Sequence, residues 1–228
     1  MTEHLPLPVQ RYFAFTLPAD YRQVKNAELR QYGELRTDMT QQKWFRFTAE
    51  QTFSTTGFEW RAMIQMGRFL RLQVIDQYET GVGSAKVKLF SWLTIARDQD
   101  RYELNEAAMH RFLAEGVWFP TNLLPENGVK WRAVDDERAI AHLEHGELEV
   151  ELEFTFASNG AIKEVFCPGR FARVGKTYRR MPWRGRIADY REVAGMQIPH
   201  FAEIGWQMDG QWQWVWRGNL AGAHYKFA

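Results

Sequence analysis

The sequence predicts a mainly β (α+β) fold: a single curved antiparallel meander forming a half-barrel or open barrel, with two or three short helices closing its concave side. Three observations carry this. Period-two alternation of apolar and polar residues recurs from about residue 27 to residue 220. Gly, Asn and Asp clusters interrupt it at hairpin spacing. Only two stretches, near the N-terminus and in the middle, follow helical spacing instead. About a dozen consecutive antiparallel strands rarely stay flat, so they curl.

The first helix is expected in LPVQRYFAFTL, with Pro6 and Pro8 at its start and Val9, Tyr12, Phe13 and Leu17 approximating one apolar face. Pro18 stops it. Ala27, Leu29 and Leu35 mark a first, weak strand. In residues 43–53, Phe45, Phe47, Ala49, Gln51 and Phe53 share one face, and Trp44, Arg46, Thr48, Glu50 and Thr52 the other. The cleanest alternation follows: Phe58, Trp60, Ala62, Ile64, Met66. Gly67 then turns the chain, with Leu70, Leu72 and Val74 expected inward. Gly81 and Gly83 precede Ala85, Val87 and Leu89. They precede a strand and lack a P-loop lysine or a third glycine, so a turn or bulge is the simpler reading than a phosphate loop.

Residues 105–125, NEAAMHRFLAEGVWFPTNLLP, form the central helical segment. Asn105 suits an N-cap, Glu106 the first turn, Gly116 the close, and Pro120 forbids continuation. The second half is a run of hairpins. Leu148, Val150, Leu152, Phe154 and Phe156 oppose Glu147, Glu149, Glu151 and Glu153, and Ser158-Asn159-Gly160 is a hairpin signal. Strands are expected over 161–166, 171–178, 186–193, 196–206 and 211–220, with Trp212, Trp214 and Trp216 on one face of the last. No repeat, linker or composition break divides the 228 residues. One domain is expected: a helical cap (1–18), a first strand group (19–100), the central helix segment (101–125) and a second strand group (126–228).

Composition narrows the function classes. Lys plus Arg total 29 against 28 for Asp plus Glu, a net charge of +1 that gives no global pull towards nucleic acid. Ten Trp, 16 Phe and 8 Tyr in this aromatic-rich chain imply a bulky core or an aromatic-lined concavity. The one cysteine, Cys167, permits no intrachain disulfide and reads as a small buried hydrophobe. The opening MTEHLPLPVQRYF lacks a basic stretch followed by an apolar one, and no apolar run approaches membrane-spanning length. The expected compartment is therefore cytoplasmic, with no membrane span.

Chemical motifs are sparse. His142-x-x-His145 is the only close histidine pair among the six and lacks further ligands at suitable spacing, so no metal is expected. No Gly-x-Ser-x-Gly, dinucleotide or P-loop fingerprint occurs, so no cofactor is expected. Arg170, Arg173, Lys176, Arg179, Arg180, Arg184 and Arg186 crowd a region with Phe171, Tyr178 and Trp183. Across hairpins such a cluster splits between two faces. That argues against nucleic acid, while leaving an anionic ligand head possible. Arg111 and Glu115, at i and i+4 just ahead of Trp118-Phe119-Pro120, form either an exposed pair or a cavity-facing one.

RFLAEGVWFPTNLLP resembles the Arg-aromatic-Leu-Ala-Glu-x-x-Trp-x-Pro-x-x-Leu-Leu pattern of a large uncharacterised bacterial domain-of-unknown-function family. The resemblance runs from Leu7-Pro8-Val9-Gln10-Arg11-Tyr12-Phe13 through Gln51, Gly57-Phe58-x-Trp60-x-Ala62 and Asp76-x-Tyr78-x-x-Gly81-x-Gly83. It continues to Trp131, Arg170, Pro182-Trp183, Tyr190, Gly195, Pro199, Glu203 and Trp206. It implies that Asp76, Arg111, Glu115, Arg170 and Glu203 recur as polar positions among aromatic ones, and it transfers no activity. The strand order is also similar to the curved half-barrels of periplasmic lipoprotein carriers and of the violacein-pathway enzyme sharing that fold.

The leading expectation is binding of a hydrophobic or amphipathic small molecule in the concavity. Phe58, Trp60, Trp118, Trp183 and Trp206 would form the wall, and Asp76, Arg111, Glu115, Arg170 and Glu203 the polar groups. The alternatives are a cofactor-free enzyme with Glu115 or Glu203 as proton carrier beside Arg111, and a structural or interaction module exposing the Trp212–Trp216 strand.

Overall fold

The computed structural model describes residues 4–228. Helix α1 (Leu7–Thr16) is followed by six strands: β1 (Val24–Leu35), β2 (Phe45–Ser54), β3 (Gly57–Gln65), β4 (Arg71–Glu79), β5 (Val82–Leu89) and β6 (Leu93–Gln99). Helix α2 (Tyr102–Glu115) continues through short 3-10 turns at Gly116–Trp118, Pro120–Leu123 and Pro125–Asn127. Seven strands complete the described chain: β7 (Lys130–Ala133), β8 (Arg138–His145), β9 (Leu148–Phe156), β10 (Ile162–Val174), β11 (Thr177–Val193), β12 (Met196–Met208) and β13 (Gln211–Phe227).

All thirteen strands belong to one antiparallel sheet, ordered β6-β5-β4-β3-β2-β1-β13-β12-β11-β10-β9-β8-β7. This corrects the expected single meander. Two meanders are joined where the first strand pairs with the last, Val24 opposite Phe227 and Leu35 opposite Trp216. Pairing β1 with β13 satisfies what would otherwise be two bare edges and moves the edges to mid-chain, where α2 bridges them. The sheet curls into a half-barrel around α2, which touches β4 and β5 on one arm and β9 and β10 on the other. The arms also meet directly: Tyr178 of β11 donates to Asp98 of β6 at 2.9 Å, and Tyr78 OH lies 3.4 Å from His145 Nδ1.

Period-two patterning explains most strands. In β2 the odd residues Phe45 to Phe53 are buried and the even ones through Thr52 are not. In β3 Phe58, Trp60, Ala62 and Ile64 point inward. Helix α1 buries Val9, Tyr12 and Phe13 and is pinned at its end by Thr16 Oγ1, which donates to Gln197 O at 2.6 Å.

Several local expectations are corrected. Helix α2 starts at Tyr102, and Asn105 is no N-cap; its side chain accepts from Gly83 N at 2.8 Å and donates to Asp100 at 3.1 Å, tying α2 to β5. Gly83 lies inside a strand because α2 packs on it: a Cβ there would sit 2.9 Å from Leu104 O. Gly81, at φ +87, makes the turn. Leu70 is exposed, since the strand begins only at Arg71. Strand β6 carries no clean alternation and was not expected. The breaks expected between 166 and 171 and between 178 and 186 do not occur: β10 runs through Gly169 and β11 through Gly185. Trp212, Trp214 and Trp216 do not share a face. The register of β13 against β12 slips between Ile204, opposite Trp216, and Gly205, opposite Trp214. Val215 is the extra residue, and it turns Trp216 into the concavity while Trp212 and Trp214 stay outside under Arg184 and Arg186.

Candidate functional site

Under α2, on the concave side, the sheet and helix line a half-open cavity of about 430 Å³. Its apolar wall includes Leu35, Ile64, Leu72, Val74, Val87, Ile204 and Trp216, and Trp60, Asp76, Arg111, Glu115, Arg170, Trp183 and Trp206 also line it. Alternation in β4 brings Leu72, Val74 and Asp76 to the same face.

Arg111 is the hub. It projects from α2 one turn before Glu115, so its Nε donates to Glu115 Oε1 at 2.8 Å while its Nη1 donates to Asp76 Oδ2 at 2.9 Å. Phe58 and Trp60 face its guanidinium at 4.8 and 5.0 Å. A planar cation can stack on rings and still fork between two carboxylates, which an ammonium cannot. Glu115 Oε2 accepts from Gln51 Nε2 at 2.7 Å, Gln51 Oε1 from Gln31 Nε2 at 3.0 Å, and Gln31 Oε1 from Trp60 Nε1 at 2.9 Å. This chain of donors holds both glutamines, the Trp60 indole and Glu115 in fixed orientations. Burial pushes the Asp76 carboxyl above the usual carboxylate range, with Arg111 and Arg170 opposing. Its side chain is nevertheless 32 % accessible, because its free side faces the cavity. Burial works against the Arg111 charge, but Glu115 and Asp76 outweigh it and hold the guanidinium above its ordinary value.

Arg170 differs from Arg111 in its surroundings. Its guanidinium lies over Trp183 at 5.1 Å and Trp206 at 5.2 Å and donates through Nη2 to Ala107 O at 2.8 Å. Burial first, and the Arg111 charge second, lower its pKa to about 10, which leaves it protonated at neutral pH. Among the described residues Arg170 makes no ion pair within 4 Å, and its Nε is buried without a hydrogen-bond partner. The Trp183 indole nitrogen and the Nε and Nη1 of Arg36, another residue of the cavity lining, are orphaned in the same way. Buried donors left open in this manner call for an explanation.

Seven expected site residues therefore line the cavity: Trp60, Asp76, Arg111, Glu115, Arg170, Trp183 and Trp206. Phe58 reaches it only through the Arg111 guanidinium, and two lie elsewhere. Trp118 is buried beside the cavity rather than in its lining; its indole donates to Pro199 O at 2.9 Å and its carbonyl accepts from Tyr225 OH at 2.8 Å. Glu203 lies on the convex face, paired with Arg186 at 3.2 Å, because Ala202, Ile204 and Trp206 take the inward positions of β12. It lines a wider outer depression of about 860 Å³, whose Glu34 and Glu203 are held by Arg217 and Arg186. Gln31 and Trp216 were missed. Gln31 left a signal, a polar residue at an inward position in phase with Ala27 and Leu29; Trp216 was hidden by the bulge.

The remaining constellations disperse. His142 and His145 point to opposite sides of β8, the former to Glu144 and the latter to Tyr78. His142, Glu144 and Glu149 could approach one ion, but they lie at the surface and Lys130 already binds Glu144. The arginine cluster splits: Arg173 faces Asp98, Arg180 Glu106, Arg184 Glu164 and Arg186 Glu203. Cys167 Sγ lies 3.4 Å from His110 Nε2. Burial raises the thiol pKa and lowers that of the imidazole to about 3, so both stay neutral and the pair is no thiolate nucleophile.

The sequence profile of the family of unknown function DUF6920 matches residues 3–225. No curated protein matches. Among solved structures, the chain is similar to a LolA superfamily protein from Nitrosomonas europaea, at 9 % identity and TM-score 0.45, covering 97 % of this chain and 93 % of that one. It is also similar to a β-barrel-like protein of the domain of unknown function DUF1849 from Brucella abortus, at 11 % identity and TM-score 0.27, covering 90 % and 99 %. Neither likeness is strong enough to carry a property across.

Proposed function

The chain belongs to this DUF6920 family of unknown function, and from that premise we propose that it binds an amphipathic small molecule with an anionic head in the cavity under α2. The observation that carries this is Arg170: a protonated guanidinium in the cavity wall, lying over two indoles, with no carboxylate within 4 Å among the described residues and an orphaned N–H. A carboxylate or phosphate head would supply the counter-charge that Arg170 lacks within 4 Å, and the acyl or ring portion would lie on Leu72, Val74, Ile204 and Trp216.

Native mass spectrometry of the purified protein, compared with its denatured mass, tests this first. An adduct of a few hundred daltons released on denaturation supports it. If the protein emerges free of ligand, titration with dansyl-undecanoic acid and with an uncharged dansyl alkyl amide follows. Tight binding of the acid that drops at least tenfold in Arg170→Met, with the amide indifferent to the substitution, supports the reading. Failure of the acid to bind, or equal binding of acid and amide, sinks it.

A cofactor-free enzyme has one observation in its favour, the cavity-facing Asp76 with its raised pKa. Glu115, the expected proton carrier, is instead occupied by Arg111 and Gln51. Incubation of the protein with an extract of small metabolites decides this: a compound consumed by the wild type and spared by Asp76→Asn supports an enzyme, and unchanged metabolite profiles remove it.

A further inference from the structure

The turn between β3 and β4 and the turn between β5 and β6 lie side by side, joined by a hydrogen bond from Phe90 N to Arg71 O at 3.3 Å. Together they carry large apolar side chains in the open: Phe69 is 83 % exposed and Trp92 74 %, with Leu70, Phe90, Leu93 and Ile95 also exposed. Phe90 and Ser91 both take left-handed backbone, at φ 50 and 66, where Asn-Gly would turn without strain. The turn thus holds an aromatic residue outward at a position that favours a small one.

The two segments that carry this patch are basic. Residues 60–75 contain Arg61, Arg68 and Arg71 and no acid, and residues 82–97 contain Lys86, Lys88 and Arg97 and no acid. Among the described residues Arg68, Arg71, Lys86 and Lys88 have no carboxylate within 4 Å, whereas Arg173, Arg180, Arg184 and Arg186 each have one. Ile64 and Leu72, which line the cavity, flank the β3–β4 turn. The patch therefore sits beside the cavity on the same end of the sheet.

We propose that residues 67–71 and 89–95 form a docking surface for an anionic lipid bilayer, bringing this end of the cavity to the membrane. Aromatic residues settle at the headgroup level, apolar tips insert shallowly, and unpaired Lys and Arg are drawn to anionic lipid. The surface stands on its own residues; only its use for loading the cavity rests on the ligand-binding reading.

The experiment is flotation of the full chain with vesicles of phosphatidylcholine alone and of phosphatidylcholine with phosphatidylglycerol at 3:1. Flotation with the anionic vesicles, reduced at least fivefold by 0.5 M NaCl, by Phe69→Ser/Trp92→Ser and by Lys86→Glu/Lys88→Glu, supports the proposal. Phe69 and Trp92 are exposed and Lys86 and Lys88 are half-buried, so circular dichroism is recorded for each variant and only those with the wild-type spectrum are scored. Absence of flotation, or equal flotation with both vesicles, overturns it. So does a dimer in light scattering that Phe69→Ser/Trp92→Ser abolishes, which would give the patch to a second copy of the chain. Arg170→Met separates the two ideas: it floats as the wild type does even where it no longer binds the dansyl acid.

Discussion

Arg111 Nη1 lies 2.9 Å from Asp76 Oδ2, so the helix on the concave side is fastened to the sheet by a charge pair inside the protein. The same guanidinium holds Glu115 at 2.8 Å and stacks between Phe58 and Trp60. A buried pair of this kind adds little over an apolar replacement of the whole, but removing one member strands the others.

Arg111→Leu leaves Asp76 and Glu115 without their cation and should cost about 3–5 kcal/mol in urea unfolding. Adding Asp76→Asn and Glu115→Gln to it should recover more than half of the loss. If the triple variant is no more stable than the single one, packing by the arginine side chain rather than charge is responsible.

Arg170→Met is expected to behave differently. Among the described residues no carboxylate lies within 4 Å of Arg170, and its loss forfeits one bond to Ala107 O together with its stacking on the two indoles. Stability should change by less than about 1.5 kcal/mol, since the burial cost of the charge disappears with it. A loss as large as that of Arg111→Leu would make Arg170 a structural strut and weaken its assignment to a ligand.

His110 predicts acid sensitivity. Burial, then the charge of Arg170, lowers its pKa from 6.5 to about 3, with its bond to Glu106 O opposing. A base depressed in the folded state contributes stability that is full above pH 6.5 and is lost as pH falls from 6.5 towards 3, about 5 kcal/mol in all. His110→Leu should flatten the stability curve across that window when urea midpoints are compared at pH 7 and pH 4. Parallel curves would clear the imidazole of the effect.

Gly218 lies under the Trp216 indole, and a Cβ there would meet Trp216 Cη2 at 2.4 Å. Gly218→Ala should push the ring off Phe47, on which it stacks at 5.6 Å, and cost about 1–3 kcal/mol. It should also alter the tryptophan emission and weaken the dansyl acid. Unchanged emission and affinity would mean that Trp216 is no part of the binding wall.

The sequence made the strands legible wherever one face is dry and the other wet. Odd-numbered Phe45 to Phe53 and even-numbered Phe58 to Ile64 announced themselves, because a half-buried strand must alternate. The family resemblance picked out Asp76, Arg111, Glu115, Arg170, Trp60 and Trp183: Asp76, Arg170 and the tryptophans from the pattern outside α2, and Arg111 with Glu115 from the motif within it. Strand β6 was illegible: as an exposed edge it has no dry face to impose a pattern.

The alternation of residues by itself determined that the chain is a curved antiparallel sheet with a helix in the middle. Only the tertiary structure decided the rest. Closing β1 onto β13 depends on contacts between residues nearly two hundred positions apart, which no local period encodes. One bulge residue, Val215, reversed the face of Trp216, and the phase of β12 sent Glu203 outward, because a single-residue shift inverts every side chain beyond it. Which charges are paired and which are left open is a property of distance in space, and that is what separates Arg111 from Arg170.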